Sequence, residues 1–370
     1  MVTVRGDLVT STGVEAGWVR IVGDRIGAVG SGDAPHDNEI VDAGGLVLPG
    51  LVDIHCHGAL GAAFGDGAAA VRTIADYHRR SGSTSMLASL VSESRDVLAA
   101  QVGMLAPLVR DGVVDGIHLE GPYLASAHRG AHRADALRDP DVAEIAELLD
   151  VAGGAIRVVT VAPERVRAGE LIDLLVARGV PVAIGHTAAS TGETRAALDA
   201  GARIATHLFN GMPALHHRDG GPVLALLDDG RVTCELIVDG CHLDGDVVRW
   251  VWRLLGPSRR ILVSDSSPAT GVLDGVVTLG GQELRVTNGV ARTVAEGALA
   301  GSASTLLDVV CCAVGTGVPL HEAVTAATAV PAAAVGLADR GELRAGARAD
   351  LLLTDRSLDL QRVLRAGRWL

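Results

Sequence analysis

The chain has 370 residues, enough for one large α/β barrel with a small extra domain or for two to three ordinary domains. Its 32 basic and 44 acidic side chains give a net charge of -12, which argues against nucleic acid or an anionic membrane surface as a partner. The five cysteines show no Cys-x-x-Cys spacing, and no apolar run reaches the roughly 18 residues of a membrane span, so we expect a cytoplasmic protein without a disulfide framework.

The two ends of the chain are predicted to form a small β-sandwich domain. Residues 1–48 contain short strand-like runs with turn signals, including a hairpin around Gly23-Asp24. Residues 341–370 return to strand character, so we expect this tail to pair with the N-terminal strands.

Residues 49–340 are predicted to form a (β/α)8 barrel of the TIM type. Apolar strand-like runs alternate with Ala- and Leu-rich stretches of helical spacing, which is typical of a parallel sheet with helical crossovers. The eight runs cover residues 51–55, 84–91, 116–119, 156–162, 181–185, 203–206, 233–238 and 260–264. A strand insertion near 276–296, with a hairpin turn at Asn288-Gly289, is expected to extend over the mouth of the barrel.

Residue types that bind metals fall at or just past the ends of these runs. The C-terminal ends of barrel strands converge on one mouth, so side chains far apart in sequence become neighbours there. Residues two apart in a strand point to the same side, so His55 and His57 are expected to face the interior together. A lone histidine at a strand end more often has a structural role, and it is the whole series that indicates a metal site: Asp53, His55, His57, His118, Glu120, His186, His207 and Asp265.

Glu120 and Asp265 are the acidic residues best placed for chemistry. Glu120 lies between a strand and a Gly-Pro turn, where a buried carboxylate needs a cation to offset its desolvation. The chain contains no lysine, so a carboxylated lysine cannot bridge two metals and any bridging ligand must be Asp or Glu. Asp265 is the best candidate for a general base. The alternatives are a helix cap for Asp265 and a structural ion pair for Glu120.

Six longer strings resemble the amidohydrolase superfamily and, within it, the N-acetylglucosamine-6-phosphate deacetylases. The resemblance covers nearly the whole chain. The strings are HLEGPY at 118–123, RGAH at 129–132, GHT at 185–187, THLFNGM at 206–212, DGCH at 239–242 and LAGS at 299–302.

The resemblance implies a divalent metal held mainly by Glu120, His186 and His207. Retention of His55 and His57 adds the option of a second ion, with Glu120 as the bridge. Zinc is the first expectation, with Fe2+, Co2+ or Mn2+ as alternatives. The implied substrate-binding residues are Ala131, His132, Asn210, Gly211, Arg218, His242, Leu299, Ala300 and Gly301.

The implied reaction is deacetylation of N-acetyl-D-glucosamine 6-phosphate to D-glucosamine 6-phosphate and acetate, in amino-sugar catabolism and recycling. A metal-activated water attacks the amide, and Asp265 acts as general base and then acid. Arg218 and His242 suit the phosphate. The resemblance also implies a homodimer with the active site near the subunit interface.

Two alternatives remain for the function. Another amidohydrolase reaction, on a cyclic amide or a different N-acyl substrate, is compatible with the same barrel, because a fold does not fix its substrate. A non-catalytic scaffold is the second alternative. The histidines outside the motifs are expected to have structural or surface roles: His36, His78, His128, His216, His217 and His321.

Overall fold

A computed structural model describes residues 1–35 and 39–370. Eight strands form one parallel sheet in chain order, and each corresponds to one of the eight predicted runs. The predicted (β/α)8 barrel is therefore confirmed. The barrel strands, first to eighth, are Leu51–Asp53, Ser83–Leu90, Gly116–Glu120, Ile156–Val161, Val182–Ile184, Ile204–Ala205, Thr233–Leu236 and Arg260–Leu262.

An α-helix follows each barrel strand, as parallel pairing requires. A capping box begins the fifth helix: Ser190 Oγ accepts from the Glu193 N–H at 3.2 Å, and the Glu193 carboxylate accepts from the Ser190 N–H at 2.8 Å. The helices are Ala68–Arg80, Arg95–Arg110, Val142–Ala152, Ala168–Ala177, Thr191–Ala200, Gly221–Asp228, Gly245–Leu254 and Leu306–Gly315, followed by Leu320–Ala326 and Ala329–Ala334. Short 3-10 turns cover Phe64–Asp66, Ser126–His128, Ala134–Ala136 and Pro257–Arg259.

The barrel closes where the first and eighth strands end. The His57 N–H donates to the Ser266 carbonyl at 2.7 Å, and the Asp265 N–H donates to the His55 carbonyl at 2.9 Å. Apolar side chains fill the interior below this level, so the polar side chains of the mouth rest on a packed floor. These interior residues are Val52, Ile54, Leu87, Val158, Ala183, Ile204, Ile237, Ile261 and Val263.

Both ends of the chain build one additional sheet. The tail strand Leu351–Thr354 pairs antiparallel with Ile40–Pro49, which confirms the predicted pairing of the two ends. One face of this sheet packs on the barrel through residues such as Leu48 and Leu352, while the opposite face has its own core around Val47 and Leu351. In spatial order the strands are Arg368–Trp369, Leu360–Arg365, Leu351–Thr354, Ile40–Pro49, Val2–Thr10, Gly13–Val22 and Arg25–Gly30.

The predicted insertion forms a three-stranded antiparallel sheet after the eighth barrel strand. Its strands are Gly275–Leu279, Gln282–Thr287 and Val290–Thr293, and Asn288-Gly289 makes the second turn. A two-stranded ribbon, Gly58–Ala59 with Ala62–Ala63, lies after the first barrel strand. The domain boundaries at 48/49 and 340/341 stay predictions. Within the described residues, the helices are all too short or too polar to cross a membrane.

Candidate metal centre

The predicted metal ligands meet at the C-terminal mouth of the barrel. They surround a cavity of about 250 Å³, which we call the mouth cavity. His57, Glu120, His186, His207 and Asp265 line it, and each is at most 7% exposed. His55 is fully buried beside them, with its Nε2 3.1 Å from Nε2 of His57. Residues from five different barrel strands therefore converge here, as the strand-end pattern predicts.

The Glu120 carboxylate lies at the centre of this group. Its Oε1 is 3.1 Å from Nε2 of His186 and 3.0 Å from Nε2 of His207. The same oxygen is 3.3 Å from Nε2 of His55, and Oε2 is 3.1 Å from Nε2 of His57. One carboxylate thus lies between two pairs of imidazoles, His186 with His207 and His55 with His57.

Hydrogen bonds on the far side of three of the rings fix their orientation. In each case Nδ1 faces an oxygen acceptor, so the Nδ1–H tautomer is favoured and the Nε2 lone pair points into the cluster. Such second partners are usual for metal-binding histidines. The acceptors are Glu235 Oε2 for His55 at 3.0 Å, the Ser89 carbonyl for His57 at 3.2 Å and the His128 carbonyl for His186 at 2.7 Å.

The donor set fits a divalent metal. Two Nε2 to Nε2 contacts, His55 to His57 at 3.1 Å and His186 to His207 at 3.0 Å, place lone pairs opposite each other, which is unfavourable without a cation between them. Imidazole and carboxylate donors are the ligands of zinc and similar ions. Three groups of ligand atoms within 4.8 Å of one another occur among the described residues: His55, His57 and Asp265; His55, Glu120 and His207; Glu120, His132 and His186.

The electrostatics keep the central carboxylate charged. Burial acts to raise the pKa of Glu120, but its contacts with the His55 and His186 imidazoles hold that pKa well below its usual value. Glu120 is therefore a carboxylate anion, the form that binds a metal.

Three of the cluster residues have a left-handed backbone conformation. The φ angles are +47° at His186, +26° at His207 and +46° at Asp265. Non-glycine residues rarely adopt such angles, and strain of this kind clusters at functional sites. Each residue lies just past the end of a barrel strand, in a turn that brings its side chain over the mouth. Gly301 packs against the turn at Asp265, since a Cβ on Gly301 would lie 2.7 Å from the Asp265 carbonyl oxygen.

His132 contacts the same carboxylate from the outer side of the mouth. Its Nδ1 accepts the Ser92 N–H at 3.1 Å, so the proton lies on Nε2, 3.2 Å from Glu120 Oε2. Burial lowers the pKa of His132 to about 4, which keeps the ring neutral. His132 can therefore donate a hydrogen bond to Glu120 or to a bound ligand.

Most of the predicted substrate-binding residues also line the mouth cavity. Two do not: Ala300 is buried beneath it in the insertion core, and Arg218 is exposed on the loop that precedes the sixth helix. His242 lines the cavity with Nδ1 2.8 Å from Asp239 Oδ2, and although burial opposes it, this contact raises the pKa of His242. The predicted residues in the lining are Ala131, His132, Asn210, Gly211, His242, Leu299 and Gly301.

Two members of the predicted series lie outside the ligand groups. Asp53 accepts a hydrogen bond from Ser264 Oγ at 2.6 Å, and burial raises its pKa to about 6. His118 contacts Ser89 Oγ at 2.9 Å and Thr160 Oγ1 at 2.8 Å. Both support the strands that carry the ligands. His36 lies outside the described residues.

Sequence reasoning missed Glu235. This buried carboxylate on the seventh barrel strand contacts Nδ1 of His55 and accepts the His207 N–H at 3.1 Å. It belongs to none of the motifs. Strand alternation could have identified it, because residues two apart in a strand share a face. Glu235 lies two residues before Ile237, which faces the barrel interior, so Glu235 faces the interior as well.

Comparisons with known proteins agree with this geometry. The Amidohydrolase family model matches residues 46–370. The chain is 36% identical over 329 residues to N-acetylgalactosamine-6-phosphate deacetylase of Escherichia coli O157:H7, with 87% of each covered. It is 32% identical to N-acetylglucosamine-6-phosphate deacetylase of Vibrio furnissii, over 93% of this chain and 88% of the relative. The crystal structure of N-acetyl-D-glucosamine-6-phosphate deacetylase from Mycobacterium smegmatis superimposes with a TM-score of 0.96 at 42% identity, with 100% of both chains covered. Together with the motifs and the ligand cluster, these matches show that the chain belongs to the amidohydrolase family.

Proposed function

We propose that this protein is a metal-dependent hydrolase that converts N-acetyl-D-glucosamine 6-phosphate and water to D-glucosamine 6-phosphate and acetate, in amino-sugar catabolism. The observation that carries the proposal is the convergence of four imidazole Nε2 atoms on Glu120, beside Asp265. The relatives supply the substrate class, since their names specify phosphorylated N-acetylamino sugars.

Glu120, His186 and His207 would hold the main metal ion. His55 and His57 would hold a second ion, with Glu120 shared between the two. Zinc is the proposed ion, because these nitrogen and oxygen donors suit it. When bound, a divalent ion would polarise the amide carbonyl and lower the pKa of water toward roughly 7.

Asp265 is proposed to transfer the proton. Its Oδ1 lies 3.4 Å from Nε2 of both His55 and His57, so the carboxylate faces the place where the reacting groups meet. Asp265 accepts a proton from the attacking water as the new C–O bond forms. It then delivers this proton to the sugar nitrogen, so the C–N bond breaks with a neutral amine as leaving group.

His242 is proposed to bind the phosphate. The carboxylate of Asp239 favours its protonated form, and an imidazolium donor suits a phosphate oxygen. Ala131, His132, Asn210 and Gly211, with the 299–301 segment, would contact the sugar.

Arg218 is proposed to act across a subunit interface. It is exposed and outside the mouth cavity of its own chain, whereas a guanidinium is a strong phosphate partner. In a cytoplasmic homodimer with each Arg218 near the partner's mouth cavity, an Arg218 that is exposed on its own chain would still contact a substrate phosphate.

A second candidate substrate is N-acetyl-D-galactosamine 6-phosphate. The specific observation in its favour is the 36% identity to the Escherichia coli O157:H7 enzyme named for that sugar. The two sugars differ only in the configuration of one hydroxyl-bearing ring carbon, which carries neither the amide nor the phosphate.

Acetate release by the purified, zinc-supplemented protein tests the proposal. We expect chelator-sensitive release from N-acetylglucosamine 6-phosphate, faster than from N-acetylgalactosamine 6-phosphate and far faster than from unphosphorylated N-acetylglucosamine. A preference for the galactosamine compound would favour the second candidate. No release from any of the three, by protein shown to contain metal, would refute deacetylation of these sugars.

A further inference from the structure

A second cavity lies directly beside the mouth cavity. It has a volume of about 340 Å³ and runs beneath the insertion, and we call it the side cavity. Val91 and Leu279 line both cavities. These two side chains therefore form the wall that separates the space around the metal ligands from a further volume.

The wall is closely packed. Leu279 ends the first strand of the insertion and is 5% exposed, and the turn Gly280-Gly281 follows it. A Cβ on Gly280, whose φ is +52°, would lie 2.7 Å from Cγ2 of Val91. The hairpin tip thus rests on Val91 with no room for a larger residue, and the insertion closes this side of the mouth cavity.

The wall faces the acyl side of the proposed substrate. Val91, Ala131 and Leu279 belong to one apolar cluster, whereas His242 lies after the seventh barrel strand. Val91 follows the second strand, and the second and seventh strands lie nearly opposite each other around an eight-stranded ring. With the phosphate at His242 and the amide at the metal ligands, the acyl methyl group points toward Val91 and Leu279, an apolar surface for an apolar group.

We propose that Val91 and Leu279 restrict the N-acyl group to acetyl, by closing the mouth cavity at its acyl end. This inference rests on the proposed deacetylase function and adds its acyl-chain specificity. A propanoyl or butanoyl group would have to enter the side cavity, which the wall blocks. One methylene in a shaped apolar pocket changes kcat/KM by about tenfold or more.

In a variant with a smaller wall residue, the side chains that line the side cavity determine which longer N-acyl groups can enter it. Asp66 and Glu93 line it, and Gln101 has a buried Oε1 without a hydrogen-bond partner among the described residues. The two carboxylates disfavour an anionic acyl group such as succinyl, so the extra space suits neutral chains.

Variants of the wall test the inference. Val91→Ala and Leu279→Ala would connect the two cavities, and Val277→Ala is the matched control, because Val277 is buried in the same strand but lines the side cavity alone. The measured quantity is kcat/KM for the N-acetyl, N-propanoyl and N-butanoyl forms of glucosamine 6-phosphate. A ratio between substrates is insensitive to a loss of folded protein.

The wild type is expected to prefer acetyl to propanoyl by about tenfold or more, and either wall variant is expected to raise the propanoyl-to-acetyl ratio by about tenfold. Val277→Ala should leave that ratio within about twofold. Val91→Leu makes the wall thicker, so it should lower kcat/KM for the N-acetyl substrate and leave kcat/KM for the N-formyl substrate unchanged. Equal kcat/KM values of the wild type for all acyl lengths, or unchanged ratios in both wall variants, would overturn this inference and leave the proposed deacetylase function standing. No turnover of the acetyl substrate would overturn the proposed function and this inference with it.

Discussion

The Glu235 carboxylate lies 3.0 Å from Nδ1 of His55, with both side chains at most 1% exposed. The same carboxylate oxygen accepts the His207 N–H, so one buried group orients a side chain of the first barrel strand and the backbone after the sixth. Carboxylates in this position hold metal-binding imidazoles in their tautomer and raise their basicity.

We therefore expect Glu235→Ala to weaken metal binding by about 10- to 100-fold. Competition with a chelating dye measures the affinity directly, without any assay of turnover. Glu235→Gln keeps an oxygen acceptor of similar shape and should recover part of the loss. Glu283→Ala, at an exposed carboxylate of the insertion, is the matched control. Equal affinity in the wild type and Glu235→Ala would show that His55 needs no such support.

The strand-end positions of His55, His57, Glu120, His186 and His207 were predictable from the sequence. Each follows a short apolar run, and the convergence of strand ends in a barrel is a general rule. The family motifs contributed most of the other residues that line the mouth cavity, whereas Val91, Leu279 and Ala298 lie in none of the motifs. Three-dimensional contacts across the barrel could not be obtained in this way, because they depend on the register of strands far apart in sequence.

Glu235 and Arg218 illustrate the two limits of that reasoning. Glu235 carries no motif, and only its inward position on a strand marks it as unusual for a charged residue. Arg218 lies in a motif-bearing loop, yet loop conformation is set by local turns and by neighbouring chains rather than by a strand pattern. Its exposed position therefore emerges only from the structure.

Asp265→Asn should abolish most of the deacetylase activity while the metal remains bound. The amide cannot accept the proton of the attacking water, and loss of a general base typically costs about 10²- to 10⁴-fold in rate. Acetate release and metal content are measured on the same preparation. Ser267→Ala, at a neighbouring hydroxyl that bonds the Ser302 carbonyl at 3.0 Å, is a local control. Near-normal turnover in Asp265→Asn would remove it from the proton-transfer role.

His78 makes the fold sensitive to acid. It is fully buried with Nε2 3.1 Å from the Gly58 carbonyl oxygen, and burial lowers its pKa from 6.5 to about 4. Between these two values the unfolded chain binds a proton that the folded chain does not. The stability that the neutral ring contributes is thus fully present above pH 6.5 and is lost as the pH falls through this window, by up to about 3 kcal/mol.

The free energy of unfolding, measured with and without His78→Gln across this range and in the presence of chelator, checks the pH effect. The wild type should lose about 3 kcal/mol more than the variant between pH 6.5 and pH 4. His216→Gln, at an exposed ring, should follow the wild type. Parallel curves for wild type and His78→Gln would show that His78 does not account for the acid sensitivity.

Complementation between two impaired variants, assayed at a substrate concentration well below the KM of Arg218→Ala, tests the proposed role of Arg218. Arg218→Ala should raise KM for the phosphorylated substrate without changing metal content, because the residue lies outside the metal ligands. If Arg218 serves the partner's cavity, a mixed dimer of Arg218→Ala and Asp265→Asn chains has one complete site, composed of Asp265 from the first chain and Arg218 from the second.

Random re-association of equal amounts should then restore about a quarter of the wild-type activity, since half of the dimers are mixed and each has one working site. If Arg218 acted on the substrate of its own chain, both sites of a mixed dimer would be defective and mixing would restore nothing. A second mixture, of Arg218→Ala with His207→Ala, removes a proposed metal ligand instead of the proposed general base. It should recover the same share of activity as the mixture with Asp265→Asn. Agreement between the two mixtures would exclude a special effect of Asp265→Asn and would establish that the substrate phosphate is bound across the interface.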